Sequence, residues 1–360
     1  MTAHTDDRPF SPDYAVPPGA TLSELLERRD MTQSELAKRL GVSAKHVNQV
    51  VKGVAPLSTE MALGLEKVLG TPVAFWIKRE AVYQARRAET NELESLAEHV
   101  SWAKRFPVKE LKRIDLIPPT ASGSDLVWHL LRFLGIAHPK QWTDPSVDYR
   151  KSQRFESDPY ALSAWLRVAE LRAAEIECAP YDSERFADTL HDIRGLTCLE
   201  PEEWHPLLVK KCAEAGVAVV IVDTFKGARA NGATRWLSPT KALIQLSLRY
   251  TWEDIFWFTF FHEAGHVLLH RKKERFVEVP PSKRDDSIAE LEQEADRFAG
   301  RTLIPQHFER RLPRLTLNDV PGFARELGIA PAIVVGRLQH DRLLPHSRGN
   351  DLRRQFEFVD

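Results

Sequence analysis

The sequence predicts a mainly α-helical protein with a small β-sheet, an α+β chain of several domains. Three observations predict it. Helical spacing with good caps dominates residues 20–200, strand-like apolar segments are confined to about 217–248, and two long helical stretches follow at 251–270 and 287–305. At 360 residues, with 43% hydrophobic and 28% charged, the chain exceeds one typical domain and can bury real cores.

The opening "MTAHTDDRPFSPDY" is polar and Pro-containing, reads as a flexible tail over 1–18, and lacks the apolar segment of a signal peptide. Three short helices follow in "TLSELLERRDMTQSELAKRLGVSAKHVNQVVKG". Thr21 is expected to cap the first, with Leu22, Leu25 and Leu26 as its buried stripe. Thr32 caps the second with Glu35 at the capping-box position, and Gly41 closes it. Ser43 caps the third, whose Val47 and Val50 face inward. Two short helices joined by a tight Gly-containing turn make a helix-turn-helix.

The third helix leaves Ala44, Lys45, His46, Asn48 and Gln49 outside, rich in donors and free of acid. That suits the major groove of double-stranded DNA, with Gln33 and Lys52 near phosphates and Ser43 at the helix N-terminus among the candidate contacts. The whole chain has a net charge of -1, yet residues 20–87 hold eleven Lys and Arg against seven Asp and Glu. Phosphate contact needs such a local excess. "PLSTEMALGLEKVLGTPVAFWIKREAVYQARR" adds two helices, capped around Ser58 and Pro72.

The motif, together with "MALGLEKVLGTPVAFW", resembles the lambda-repressor-like (XRE) domains and, within them, the HigA-type antitoxins, over residues 19–87. The resemblance implies operator DNA as partner, bound as a homodimer. The middle region, 88–200, reads as mostly helical, clearest at "ALSAWLRVAELRAAEI" (161–176), with a loop at "DLIPPTASGSD" (115–125), and shows no chemical motif.

From 201 the pattern changes. "EEWHPLLVKKCAEAG" reads as a helix ending at Gly216, "VAVVIVD" as a buried strand, "NGATRWLSP" as turn-rich, and "KALIQLSL" as a half-buried strand. "TWEDIFWFTFFHEAGHVLLH" has helical length, with Thr251 as its expected cap. His262 and His266 stand at i and i+4, so both rings project from one helix face. Neutral imidazoles at that spacing can share one tetrahedral Zn²⁺, with Glu263 beside it to take a proton from water. This is the HExxH arrangement of zinc peptidases.

A third ligand is available 26 residues beyond His266. "SIAELEQEADRFAGRTLIP" (287–305) carries Glu292 and Asp296 at i and i+4. In such an ExxxD pattern the Glu binds zinc and the Asp orients a ligand histidine through its second ring nitrogen. Glu294 is the fallback ligand. "FTFFHEAGHVLLH" with "EQEADRFAGRTLIP" resembles the ImmA/IrrE metallo-endopeptidases over about 203–310. The resemblance makes His262, His266 and Glu292 the zinc ligands and Glu263 the catalytic acid/base. Asp296 stands where many members carry Asn. The resemblance also implies limited cuts in a repressor or antitoxin-like partner.

The peptidase domain is therefore expected over 201–310. The tail, 311–360, contains "GFARELGIAPAIVVGRL", an echo of the first helix-turn-helix whose last helix is too apolar to read bases and is expected to pack against the peptidase. Three cysteines without CxxC spacing point to reduced thiols in a cytoplasm, and the longest aliphatic run, "GVAVVIV", is too short to span a membrane.

The whole chain thus reads as a DNA-binding regulator carrying a zinc-dependent endopeptidase. Its protein partner is a repressor or toxin–antitoxin component, laid as an extra strand against "KALIQLSL". The alternative is a HigA-like repressor or antitoxin whose zinc domain senses or binds without turnover.

Overall fold

The structure, a computed structural model, describes residues 16–144, 157–270 and 281–356, with 281–288 as backbone. The tail expected over 1–18 lies outside the described residues as far as residue 15, and Pro18 already opens a helix. Backbone packing divides the chain into two compact units, Met1–Lys104 with Leu111–Arg132, and Arg105–Glu110 with Phe133–Asp360.

The first unit begins with five helices: α1 (Pro18–Glu27), α2 (Gln33–Leu40), α3 (Ala44–Val51), α4 (Thr59–Leu69) and α5 (Val73–Leu96). Leu22, Leu36, Val47, Val50, Leu65 and Trp76 are almost wholly buried and form one core. The caps explain the boundaries. Thr32 Oγ1 accepts from Glu35 N, Ser43 Oγ from His46 N and Ser58 Oγ from Met61 N, while Gly41 takes the left-handed conformation at φ 70°. Thr21 does not cap α1. Pro17 and Pro18 start the helix a turn earlier, where a missing N–H costs nothing, and the Thr21 hydroxyl accepts from Arg79 instead. Glu35 pairs with Arg39.

Three helices follow, α6 (Val100–Ala103), α7 (Val108–Arg113) and α8 (Gly123–Leu134). The second unit then holds α9 (Pro159–Glu175), α10 (Ser183–Leu196) and α11 (Pro201–Glu214), strands β1 (Val217–Ile221), β2 (Gly232–Ser238) and β3 (Lys241–Leu246), and helices α12 (Glu253–His270) and α13 (Pro281–Leu303). The last helices are α14 (Gln306–Glu309), α15 (Val320–Leu327) and α16 (Pro331–His340).

Two strand expectations are corrected. "NGATRWLSP" is not a turn but strand β2. "KALIQLSL" is not half-buried: β3 is the central strand, parallel to β1 on one side and antiparallel to β2 on the other. Residues 242–246 are all buried. With both edges hydrogen-bonded, β3 has no backbone groups left to receive a substrate strand, so that expectation fails. Among the described residues the outer edge of β2 is unpaired.

The fully buried Trp257, Phe260 and Phe261 of α12 pack in one core with Val217, Ile244, Ala299 and Val334. The tail helices α15 and α16, joined through left-handed Gly328, bury Ala324, Leu327, Ile329, Val334 and Leu338 in the same core. The apolar composition of α16 is thus used for packing against α12. Thr251 does not cap α12. It sits at φ 57° and its hydroxyl donates to Tyr250 O. The start of α12 is held instead by the C-terminal strap: Phe356 N donates to Thr251 O, Glu253 N to Arg354 O, and Arg353 forks onto Asp254.

Candidate functional site

The apolar body of α12 delivers His262, Glu263 and His266 to one place because residues four apart lie one above the other. Gly265 lets α13 come close. A Cβ there would stand 3.1 Å from Phe298 and 3.3 Å from the Ala295 backbone. That approach brings Glu292 over the two histidines.

His262 Nε2 and His266 Nε2 face each other at 3.1 Å, and each meets a different oxygen of Glu292, at 3.3 and 3.4 Å. The three donor atoms all lie within 4.8 Å of one another. Two imidazoles and a carboxylate converging this way match the donor set of a catalytic zinc site, which keeps its fourth position open. All three side chains are partly buried.

The opposite ring nitrogens are also engaged. His262 Nδ1 meets Asp296 Oδ1 at 2.9 Å. His266 Nδ1 meets Nδ1 of His270 at 2.9 Å, and His270 Nε2 meets Glu294 at 3.1 Å. Glu294 therefore supports a histidine rather than joining the cluster. Burial disfavours a charge on His262. The hydrogen bonds to Asp296 and Glu292, with the charges of Glu263 and Glu292, outweigh it and raise its pKa to about 10. Burial likewise pushes the Glu292 carboxyl up, but its hydrogen-bonding and charge interactions with His262 and His266 bring it down to about 2. The histidines and carboxylates of the cluster thus stabilise each other's charged forms.

Glu263 is 8% exposed and sits under the edge strand. Thr234 of β2 donates its hydroxyl to Glu263 Oε2 at 2.7 Å. Gly232 leaves the space, since a Cβ there would stand 2.8 Å from Glu263 Cγ and 2.6 Å from Thr259. Sequence reasoning missed Thr234, for which no motif gives a signal. It also missed His270, although the i+4 spacing from His266 was visible.

In the first unit, Ala44 and Lys45 are exposed, and His46, Asn48 and Gln49 are partly exposed on α3. Asn48 Nδ2 donates to Gln33 Oε1 of α2 at 3.2 Å, so these two amides share one surface. Ser43 and Lys52 flank them at the two ends of α3. Among the described residues no helix is long and apolar enough to cross a membrane.

Residues 22–76 match the helix-turn-helix family, and residues 249–339 match the IrrE N-terminal-like domain. Over 76 residues the chain is 36% identical to the uncharacterized HTH-type transcriptional regulator YbaQ of Escherichia coli K12, covering 21% of this chain and 67% of that protein. YbaQ of Escherichia coli O6:H1 matches equally. A solved structure, an addiction module antidote protein of a HigA family from Coxiella burnetii, is 26% identical, covering 24% of this chain and 95% of its own, with TM-score 0.22.

Proposed function

From a chain that belongs to the helix-turn-helix transcriptional regulators at its N-terminal end and carries an IrrE-like metallopeptidase-family domain, we propose a regulator that binds operator DNA with residues 19–87 and cuts a protein partner with a zinc-dependent endopeptidase. The partner is a repressor or toxin–antitoxin component. One observation carries the reading: His262, His266 and Glu292 converge beside a buried Glu263 that lies under the edge strand β2, whose outer side no strand covers among the described residues.

His262 and His266 would hold the metal through Nε2 and Glu292 through its carboxylate. When bound there, zinc supplies Lewis acidity, which polarises a carbonyl and acidifies water to a pKa of about 7. Asp296 orients the His262 ring. The partner's chain lies along the outer edge of β2, which no other strand covers among the described residues, and pairs with it as an added strand. Glu263, fixed by Thr234, takes the proton of the attacking water and passes it to the leaving amine.

The DNA half makes a separate prediction. Full-length protein binds its own promoter with an affinity that falls steeply with salt, because phosphate contacts release counterions. Lys45→Ala and Asn48→Ala each weaken specific binding by about 1–3 kcal/mol and random-sequence binding less. Fluorescence anisotropy against promoter and scrambled duplexes measures both. Equal binding by a chain lacking residues 1–90 would remove the DNA assignment. The peptidase half is tested by incubating zinc-loaded protein with repressor and antitoxin proteins of its own organism and sequencing the new termini.

A further inference from the structure

We propose that His270 and Glu294 form a positioning relay that fixes the tautomer of His266 and so aims its Nε2 lone pair into the donor cluster. The proposal rests on the reading of His262, His266 and Glu292 as metal ligands.

His270 is the next residue at i+4 along α12, 1% exposed, and it turns Nδ1 to His266 Nδ1 at 2.9 Å. Its Nε2 reaches Glu294 Oε2 of α13 at 3.1 Å. A neutral imidazole carries one N–H and one lone pair, and a carboxylate only accepts. Glu294 therefore keeps the His270 proton on Nε2, and His270 Nδ1 is left as an acceptor. An acceptor at 2.9 Å demands a donor, so His266 places its proton on Nδ1. The His266 Nε2 lone pair then points at His262 and Glu292, where a metal ligand needs it.

The opposite tautomer of His266 would put two lone pairs face to face, or would require His270 to present a lone pair to the Glu294 carboxylate. The histidine pair is thus supported unequally. His262 uses a carboxylate directly, and His266 uses one through a second imidazole. Histidine ligands usually meet a carboxylate, a backbone carbonyl or water in this position. A buried histidine in the relay excludes water from behind His266, and Glu294 reaches it from the partly exposed side.

The test is the zinc affinity of the full chain, read by competition with a chromophoric chelator. His270→Leu removes the acceptor and should weaken zinc binding about 10–100-fold. His270→Asn places Oδ1 where Nδ1 stood and should restore most of that loss. Glu294→Ala should weaken binding in the wild-type background and weaken it clearly less in His270→Leu, where whatever it contributes through His270 is already lost. The Asn rescue and the Glu294 comparison separate a tautomer relay from simple packing. If His270→Leu fails to fold, His270→Asn within a few-fold of wild type together with a loss in Glu294→Ala supports the relay, and Glu294→Ala within twofold of wild type overturns it. His270→Leu within twofold of wild type, no rescue by Asn, or equal losses from Glu294→Ala in both backgrounds would each overturn the relay alone. A wild-type chain that takes up no zinc overturns the metal centre first.

Discussion

Wild-type protein purified without added metal is expected to carry close to one zinc per chain, and His262→Ala and Glu292→Ala to carry almost none. Each of these side chains contributes a donor atom within 4.8 Å of the other two, and no fourth protein donor is available to compensate among the described residues. Losing a ligand should cost clearly more than the ~10–100-fold expected when only a supporting hydrogen bond is lost, as in Asp296→Ala. Glu263→Gln changes no ligand and should keep its zinc. Metal binding must also displace the proton that the cluster holds at His262, whose pKa stands at about 10. The free protein binds that proton and the loaded protein does not, so apparent zinc affinity rises with pH through the neutral range. Atomic emission on the purified variants, with chelator competition at several pH values, measures all of this. Stoichiometric zinc in Glu292→Ala would mean that another side chain is the third ligand.

Arg353→Ala is expected to destabilise the second unit by about 3–5 kcal/mol, because it strands a carboxylate in the interior. Arg353 donates to both oxygens of Asp254, at 2.9 and 3.0 Å. It also stacks over Trp252 and donates to Gln339 and Asn350. The two charged side chains are only 7% and 10% exposed. Burial pushes the Asp254 carboxyl above its ordinary range, with Arg353 opposing that shift. Removing the guanidinium leaves the cost of burial without its offset. The strap carrying Arg353 is also what pins the start of α12, so amides early in residues 253–270 should lose protection first. A urea series read by hydrogen exchange of those amides isolates this unit from the first one. A loss below about 1 kcal/mol would show that the strap is dispensable.

Much of the helical design was legible because its signals are local. Thr32, Gly41, Ser43 and Ser58 mark helix ends through hydrogen bonds that span three or four residues, and each does so in the structure. HExxH with ExxxD was legible for the same reason, since i, i+4 spacing fixes a shared face within each helix. The docking of the two helices was not, because it depends on Gly265 meeting Ala295 and Phe298 across the interface. Strand β2 was misread because Asn231-Gly232 looks like a turn. The glycine is there to clear Glu263 and Thr259, a tertiary demand that no local pattern encodes. Misplacing β2 also misplaced the substrate strand, since strand order fixes which edge is open. Thr21 and Thr251 show the remaining error: a hydroxyl near a helix start attracts a cap assignment that prolines or a C-terminal strap can override.

The most direct test of the central claim compares wild-type and Glu263→Gln protein at matched zinc content and matched operator affinity, against repressor and antitoxin proteins of the same organism. Gln keeps the volume and the Thr234 contact but cannot accept the proton of water, and such a proton acceptor is worth about 10²–10⁴ in rate. Mass spectrometry of the new termini should show one or a few discrete cuts with wild type, slowed by at least that factor in the variant. Equal cleavage by both proteins, or none by zinc-loaded wild type, would contradict a peptidase acting through Glu263.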